Sequence, residues 1–522
     1  MNRMERNRRT VRPPSIVDIE ETAAYDGLEL AHGEAEELSG IVTALVLAAA
    51  DADRFDPPTI STFETWRDPG RRPSADEDPL NAFIRMCDVP GADDGPLAGW
   101  RLGVKDNIAV AGVPMTNGSV FPPFTPTLDS VVVERILKAG GSIVGTLNMD
   151  DHGGGATGVM SAFGPARNPL DPSRTAGGSS GGAGSAVASG AVEAALGVDQ
   201  GGSGRIPAAC CGLATIKATH GLIPTFGVTP IDHSIDFVTP IARSVREVAI
   251  LLEVIAGEDW RDPQGIHVPI EIPEYHRAEN DGVSDLRIAV VEESITGVDC
   301  QPVVIETMDE AVGALEGAGA QVERISAPMW SEASSIFGPY VAHLVGNMLR
   351  TEGGSHGHMG YIDADRVHAF ATNRRAQSRE LNPYVKCWTI ASRYLMERYM
   401  NVPFARLHNA RLESRRRISE LFHTWDLLIT PTIPFTAPRL PEAPTPIADL
   451  LADSKATVAF NTSPLNLSGH PAASVPGLYD ADGLPASVQI VAPHFDEYTA
   501  FRAAFVLEGY FAGRKPPGRV RA

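Results

Sequence analysis

Two glycine-flanked serine segments carry residue types that could do chemistry together. They are Gly177-Gly178-Ser179-Ser180-Gly181-Gly182 and Gly201-Gly202-Ser203-Gly204-Arg205, with Ser203 lying 24 residues (203 − 179) beyond Ser179. A serine hydroxyl held on a tight turn is a nucleophile for acyl transfer, but a base must take its proton at neutral pH. Lys105, in Gly103-Val104-Lys105-Asp106-Asn107-Ile108, is the candidate base. A free lysine titrates near about 10.4, so it must be desolvated and kept from a close carboxylate before it can serve. Alternation along a strand turns Asp106 away from Lys105, so the adjacent acid need not pair with it.

The spacing singles out one serine as the attacker. Gly177 to Gly181 matches G-x-S-x-G, a pattern whose serine sits on a sharp turn directly after a buried strand. The preceding Asn168 to Arg174 holds two prolines and reads as irregular loop, which delivers no strand to Ser179. Ala191 to Val198, by contrast, reads as a buried strand, and Gln200-Gly201-Gly202-Ser203 turns immediately after it. Ser203 is therefore the expected nucleophile. The amides of Gln200, Gly201, Gly202 and Ser203 are the expected donors to an oxyanion, because consecutive glycines let successive N–H groups converge. No Gly-Lys-Ser/Thr follows either loop, which argues against a phosphate-binding role.

The elements that must position these residues have an α/β pattern. Residues 15 to about 55 read as helical, with Ser15 as a cap and Leu38, Ile41, Val42 and Leu45 at helical spacing. Asp56 to Leu80 is rich in Pro and Asp and reads as a linker. Leu102 to Ile108 is strand-like, Ser130 caps a helix running to Ala139, and Ile143 to Leu147 is a second strand, which makes a βαβ unit. A second unit runs through Leu286 to Val291, a helix opened by Pro302, and Gln321 to Ile325. Strand-like Asp426 to Thr432 and Ala486 to Val491 return the chain to the first sheet. The expected fold class is α/β, a mixed β-sheet core flanked by helices. Its expected parts are an N-terminal helical region and linker (1–75), a core in two pieces (76–285 and 425–522), and a smaller inserted α/β domain (286–424).

Composition excludes several classes. A net charge of −21 and a pI near 5.1 in 522 residues argue against a protein that neutralises nucleic-acid phosphates. Five cysteines, an odd number with no C-x-x-C pair, suggest reduced thiols in the cytoplasm and neither a disulfide framework nor a zinc site. His356-Gly357-His358 reads as a solvated loop, so no metal is assigned. Arg3, Arg6, Arg8, Arg9 and Arg12 form a basic tail with no apolar stretch behind it. The most apolar run, Ile41 to Ala50, is shorter than the roughly 20 residues that span a bilayer, so no membrane partner is expected.

Taken together, the motifs resemble those of the amidase signature family. The likeness rests on Val104 to Asn107, Gly177 to Gly182, Asp199 to Pro207, Ser234 to Arg243, Asp426 to Pro434 and Asn466 to Pro471. Asp199-Gln-Gly-Gly-Ser203 with Gly112 to Gly118 looks most like the nitrile-pathway amidases, whose N-terminal helical subdomain implies a homodimer. The resemblance implies a Ser-cisSer-Lys triad: Ser203 is acylated, Ser179 after a cis peptide bond links it to Lys105, and Ser180 supports the lysine. It implies hydrolysis of a small-molecule amide through an acyl-enzyme, with no cofactor. The alternatives are a related carbonyl, in a hydrazide, carbamate, ureide or ester, or a non-hydrolytic amidotransferase-like subunit that would need partner chains. His220 and His470 sit in family motifs where relatives do not use histidine as the base, and their expected role is structural.

The chain departs from the family pattern in ways that bear on substrate. Asn148 to Gly155 places Gly153 and Gly154 where relatives carry bulky apolar residues against the substrate, so both are expected to widen the pocket. Gly204 replaces the usual Ile or Val, Ala183 a common Ser, and Thr239 a common Gly. Trp330, Phe337 and Tyr340 fall where the family places its variable pocket wall, and packing is the expected role of each.

Overall fold

The computed structural model describes residues 11–50, 60, 62–262, 264, 268, 271–354, 360–442, 445–452 and 457–514. Arg3, Arg6, Arg8 and Arg9 of the basic tail, His356-Gly357-His358, and most of 51–61, the end of the expected helical stretch and the start of the expected linker, lie outside them. The chain forms two compact units, Met1–Ser61 and Thr62–Ala522.

The first unit is a helix pair, α1 (Ile16–Tyr25) and α2 (Glu34–Ala50). Ser15 opens α1 with a capping box. Its Oγ accepts from the Asp18 N–H at 3.2 Å, and the Asp18 carboxylate accepts from the Ser15 N–H at 2.8 Å.

The strands of the second unit are β1 (Asp68–Arg71), β2 (Phe83–Val89), β3 (Arg101–Lys105), β4 (Ser142–Leu147), β5 (Arg167–Asn168), β6 (Asp171–Thr175) and β7 (Ala194–Asp199). They continue with β8 (Ala214–Lys217), β9 (Phe237–Ala242), β10 (Arg287–Val291), β11 (Gln321–Ile325), β12 (Leu427–Pro431), β13 (Ala472–Tyr479) and β14 (Pro485–Val491). Its helices begin with α3 (Val131–Lys138), α4 (Gly181–Ala188), α5 (Arg205–Cys211), α6 (Val245–Ile255), α7 (Glu293–Thr296), α8 (Pro302–Gly317) and α9 (Met329–Arg350). They end with α10 (Ala364–Gln377), α11 (Pro383–Tyr399), α12 (Val402–Leu421), α13 (Ile447–Ala452), α14 (Ser463–Ser468) and α15 (Glu497–Ala512).

Among the described residues twelve strands make one mixed sheet in the order β1-β2-β4-β3-β7-β9-β8-β13-β14-β12-β10-β11. Both expected βαβ units are present. β3 pairs parallel with β4 across α3, whose cap Ser130 accepts from the Val133 N–H at 3.4 Å, and β10 pairs parallel with β11 across α8. β7 lies between β3 and β9, and all six of its residues are buried, as a short apolar run covered on both faces should be.

Three expectations differ from what the chain does. The 286–424 stretch shares the core's own sheet, because β10 pairs parallel with β12 and so extends that sheet by two strands. Its helices α9 to α12 instead carry a separate apolar cluster around Tyr340, Leu344 and Val345. Asn168 to Arg174 is no irregular loop: β5 and β6 form a two-stranded ribbon outside the main sheet, a place where proline is tolerated. Within the expected linker, β1 pairs antiparallel with β2 as the edge of the large sheet.

A partly buried histidine cluster lies beside β8. His220 Nε2 pairs with the His233 carbonyl at 2.8 Å, and the His470 and His494 rings stand 3.8 Å apart. Burial pushes His220 and His494 down to about 4. The unfolded chain takes up these protons from about pH 6.5 downward while the folded chain refuses them, so the stability present above pH 6.5 is lost progressively toward pH 4. The thermal midpoint should fall across that window, and His494→Gln should make the fall shallower. An identical pH dependence in both proteins would contradict the assignment of a desolvated neutral imidazole at His494.

Candidate active site

Adjacent parallel strands bring the candidate residues together. β3 ends at Lys105 and β7 at Asp199, so both C-terminal ends open on the same side of the sheet, where α/β proteins place their ligands. The Gln200 to Gly204 turn leads from β7 into α5, and Ser179 and Ser180 lead into α4. The Ser180 N–H donates to the Ser203 carbonyl at 3.2 Å, which ties the two serine loops to one another.

Lys105 is fully buried, and its Nζ lies 2.7 Å from Ser179 Oγ and 3.3 Å from the Val198 carbonyl. Burial pulls the amine down to about 7, against the opposing charges of Asp150, Asp199 and Asp236. The Gly178–Ser179 peptide bond is cis. Asp150 and Asp199, and the adjacent Asp106, have other partners. Asp106 accepts from the Thr116 N–H at 2.8 Å and from Thr116 Oγ1 at 2.5 Å, and Asp150 accepts from the Met160 N–H at 2.7 Å. Burial pushes Asp199 up, but the Arg205 guanidinium, 2.9 Å away through Nε, overrides it and holds the carboxyl well below its ordinary range.

The structure differs from the expected site at three places. Ser180 makes no bond to the lysine: its Oγ sits 3.2 Å from both the N–H and the carbonyl of Val198, so it reaches Lys105 only through their shared carbonyl. Gly202 is not a free donor, because its N–H goes to Asp199 Oδ1 at 2.7 Å. The N–H groups of Gln200, Gly201 and Ser203 meet no acceptor among the described residues. Gly154 does not face the pocket, since a Cβ there would lie 2.8 Å from Asn382 Nδ2 and 2.9 Å from Val385 on α11. Gly153 does face it: a Cβ at that position would stand 3.8 Å from Ser179 Oγ, with φ at +70°.

Ser203 lines a cavity of about 260 Å³ together with Gln200, Gly201 and Gly153. Phe337 and Val341 from α9, and Tyr384 and Trp388 from α11, form the facing wall. Phe337 closes over the turn so tightly that a Cβ on Gly201 would lie 2.3 Å from its ring. No residue that lines the cavity among those described is charged. Sequence reasoning expected Phe337 to pack and missed Tyr384 and Trp388 altogether, although each pair is spaced i, i+4 and so shares one helix face. Trp330 and Tyr340 do pack in the interior, with Trp330 Nε1 donating to Asn461 Oδ1 at 3.0 Å. Neither His220 nor His470 bonds to Ser203. Among the described residues no cluster could hold a metal ion.

The fold is that of a class of amide-bond enzymes, as its likeness to known proteins shows. The amidase family model matches residues 85–501, and the chain belongs to that family. A glutamyl-tRNA(Gln) amidotransferase subunit of Natronomonas pharaonis is 38% identical over 433 residues, covering 82% of this chain and 99% of that one. An enantioselective amidase of Rhodococcus rhodochrous is 36% identical over 451 residues, covering 83% and 84%. Of solved structures, a glutamyl-tRNA(Gln) amidotransferase subunit of Thermotoga maritima superposes with a TM-score of 0.67 at 30% identity, over 83% of this chain and 88% of that one. 6-Aminohexanoate cyclic dimer hydrolase, complexed with substrate, does so with a TM-score of 0.67 at 25% identity, over 81% and 87%.

Two of the departures compensate one another. A Cβ on Gly204 would lie 2.0 Å from Thr239 Oγ1 and 2.8 Å from its Cβ, so the threonine side chain occupies the space that a larger residue at 204 would need. Gly204→Ile alone should lower the melting temperature and cut turnover by at least about tenfold, as overpacked cores do. Gly204→Ile with Thr239→Gly should recover most of both losses, and a double variant no better than the single would refute the coupling.

Proposed function

We propose that the protein is a serine amidohydrolase that cleaves an uncharged, largely apolar small-molecule amide through an acyl-enzyme on Ser203. The carrying observation is the buried Lys105 amine, 2.7 Å from Ser179 Oγ and pulled down to about 7, beside a cavity into which Ser203 opens. Neutral Lys105 takes a proton through Ser179 from Ser203 as the hydroxyl attacks the carbonyl. The N–H groups of Gln200, Gly201 and Ser203 hold the oxyanion. Lys105 then returns the proton through Ser179 to the leaving nitrogen, and water repeats the sequence on the acyl-enzyme to release the acid.

The amidotransferase-subunit reading is favoured by the 38% identity to one such protein. Against it stands the lining. An amino-acid amide such as glutamine presents an ammonium and a carboxylate, and burying either beside groups of no opposite charge is costly. The described cavity walls offer only apolar and neutral polar side chains. The homodimer and the cytoplasmic setting expected from the sequence belong to the same proposal, and sedimentation velocity reads the former. Among the described residues no helix is long and apolar enough to cross a membrane.

Ser203→Ala should abolish turnover of an aromatic or branched aliphatic primary amide, and mass spectrometry of wild-type protein quenched mid-turnover should find the acyl group on the peptide holding Ser203. Lys105→Ala should cost about 10²–10⁴ in kcat/KM at neutral pH. Because the neutral amine is the working form, kcat/KM should rise with pH through about 7, which is where burial sets Lys105. Faster turnover of glutamine than of apolar amides would favour the amidotransferase reading instead.

A further inference from the structure

Gln200 has a second feature, separate from its backbone N–H. Its side chain lines the cavity beside Ser203, the residue is 4% exposed, and its Oε1 is buried with no hydrogen-bond donor among the described residues. A buried carbonyl oxygen without a donor costs free energy unless something supplies one. The oxygen is placed toward the reacting centre. A Cβ on Gly153, which lines the same cavity, would stand 3.9 Å from Gln200 Oε1 and 3.8 Å from Ser179 Oγ, so both oxygens border one small volume.

The turn that carries Gln200 is backed by β9. The antiparallel register that pairs Asp199 of β7 with Phe237 of β9 brings the next residues, Gln200 and Asp236, side by side. Asp236 is buried there, and the Ile231 N–H fixes its Oδ1 at 3.2 Å. The Phe337 ring covers the adjoining Gly201, so the turn has little room to shift.

We propose that Gln200 Oε1 is the acceptor for the N–H of the substrate amide, and that it makes the enzyme selective for primary and secondary amides over esters and tertiary amides of the same acid. This rests on the acyl-enzyme reading above. When the tetrahedral intermediate collapses, the C–N bond breaks as the nitrogen lone pair takes the proton delivered by Ser179. The hydrogens already on that nitrogen face Gln200 Oε1, which turns the lone pair toward the relay. An ester oxygen or a dialkyl nitrogen brings no hydrogen, and leaves the glutamine oxygen unpaired. Sites built around such a buried polar partner discriminate strongly against substrates that cannot complete it.

The test uses three substrates of one aromatic acid, its primary amide, its N,N-dimethyl amide and its methyl ester, with wild-type protein, Gln200→Met and Gln200→Asn. Methionine keeps the length and removes the acceptor. Gln200→Met should lower kcat/KM for the primary amide by about 10–100-fold more than it lowers that for the ester or the dimethyl amide. Gln200→Asn, which keeps a shorter acceptor, should recover part of the amide-to-ester ratio. Each ratio is measured on one preparation, so protein that fails to fold cancels. Equal losses on all three substrates, or an unchanged ratio, overturns the proposal. Undiminished turnover by Ser203→Ala would instead overturn the acyl-enzyme reading, which keeps the two failures distinguishable.

Discussion

Everything at the site depends on keeping one amine dry and uncommitted. Lys105 ends a central strand with no solvent exposure, and three carboxylates, Asp150, Asp199 and Asp236, act on it electrostatically. Had any of them paired with it, the lysine would stay charged and could take no proton. The surrounding structure prevents this by occupying them. Arg205 and Asn466 hold Asp199, backbone N–H groups of Gly158 and Met160 hold Asp150, and burial pushes Asp236 up to about 8, so it is largely neutral near pH 7. The one side-chain hydrogen bond that Lys105 makes among the described residues goes to Ser179.

The same economy of contacts shapes the turn after β7. Asp199 gathers Arg205, Asn466 and the Gly202 N–H, and so fixes the loop from below. From above, Phe337 covers Gly201. Between these two constraints Ser203 is presented to the cavity and three backbone N–H groups remain unclaimed by the described residues. A turn held on both sides needs no reorganisation when charge develops on a carbonyl oxygen. The complementary pair Gly204 and Thr239 shows how closely the other flank is packed: one residue is small because the other is not.

Much of the frame was legible beforehand for physical reasons that are local. Ser130 at the start of α3 and Pro302 at the start of α8 announce their helices by capping chemistry and by a fixed φ. The apolar run ending at Val198 announces a strand covered on both faces. The reading failed where a partner far along the chain decides the outcome. β10 joins the core sheet because β12, more than 130 residues later (427 − 291 = 136), offers its free edge. Gly153 and Gly154 are neighbours of one residue type, yet one faces Ser179 and the other faces α11, because the backbone between them turns.

The sequence by itself determined the chemistry on offer: a lysine in an apolar strand, two serines in glycine turns, a family of amide-bond enzymes, and a net charge of −21. Those features follow from residue type and short spacing, which fix hydrogen-bonding capacity and local conformation. Tertiary structure alone decided which groups remain free to act. The Ser180 hydroxyl is spent on Val198 and the Gly202 N–H on Asp199, while Gln200 Oε1 is left without a donor among the described residues and the aromatic side chains of α9 and α11 line the cavity. Such availability is a property of neighbours brought together from distant parts of the chain, so no single segment encodes it.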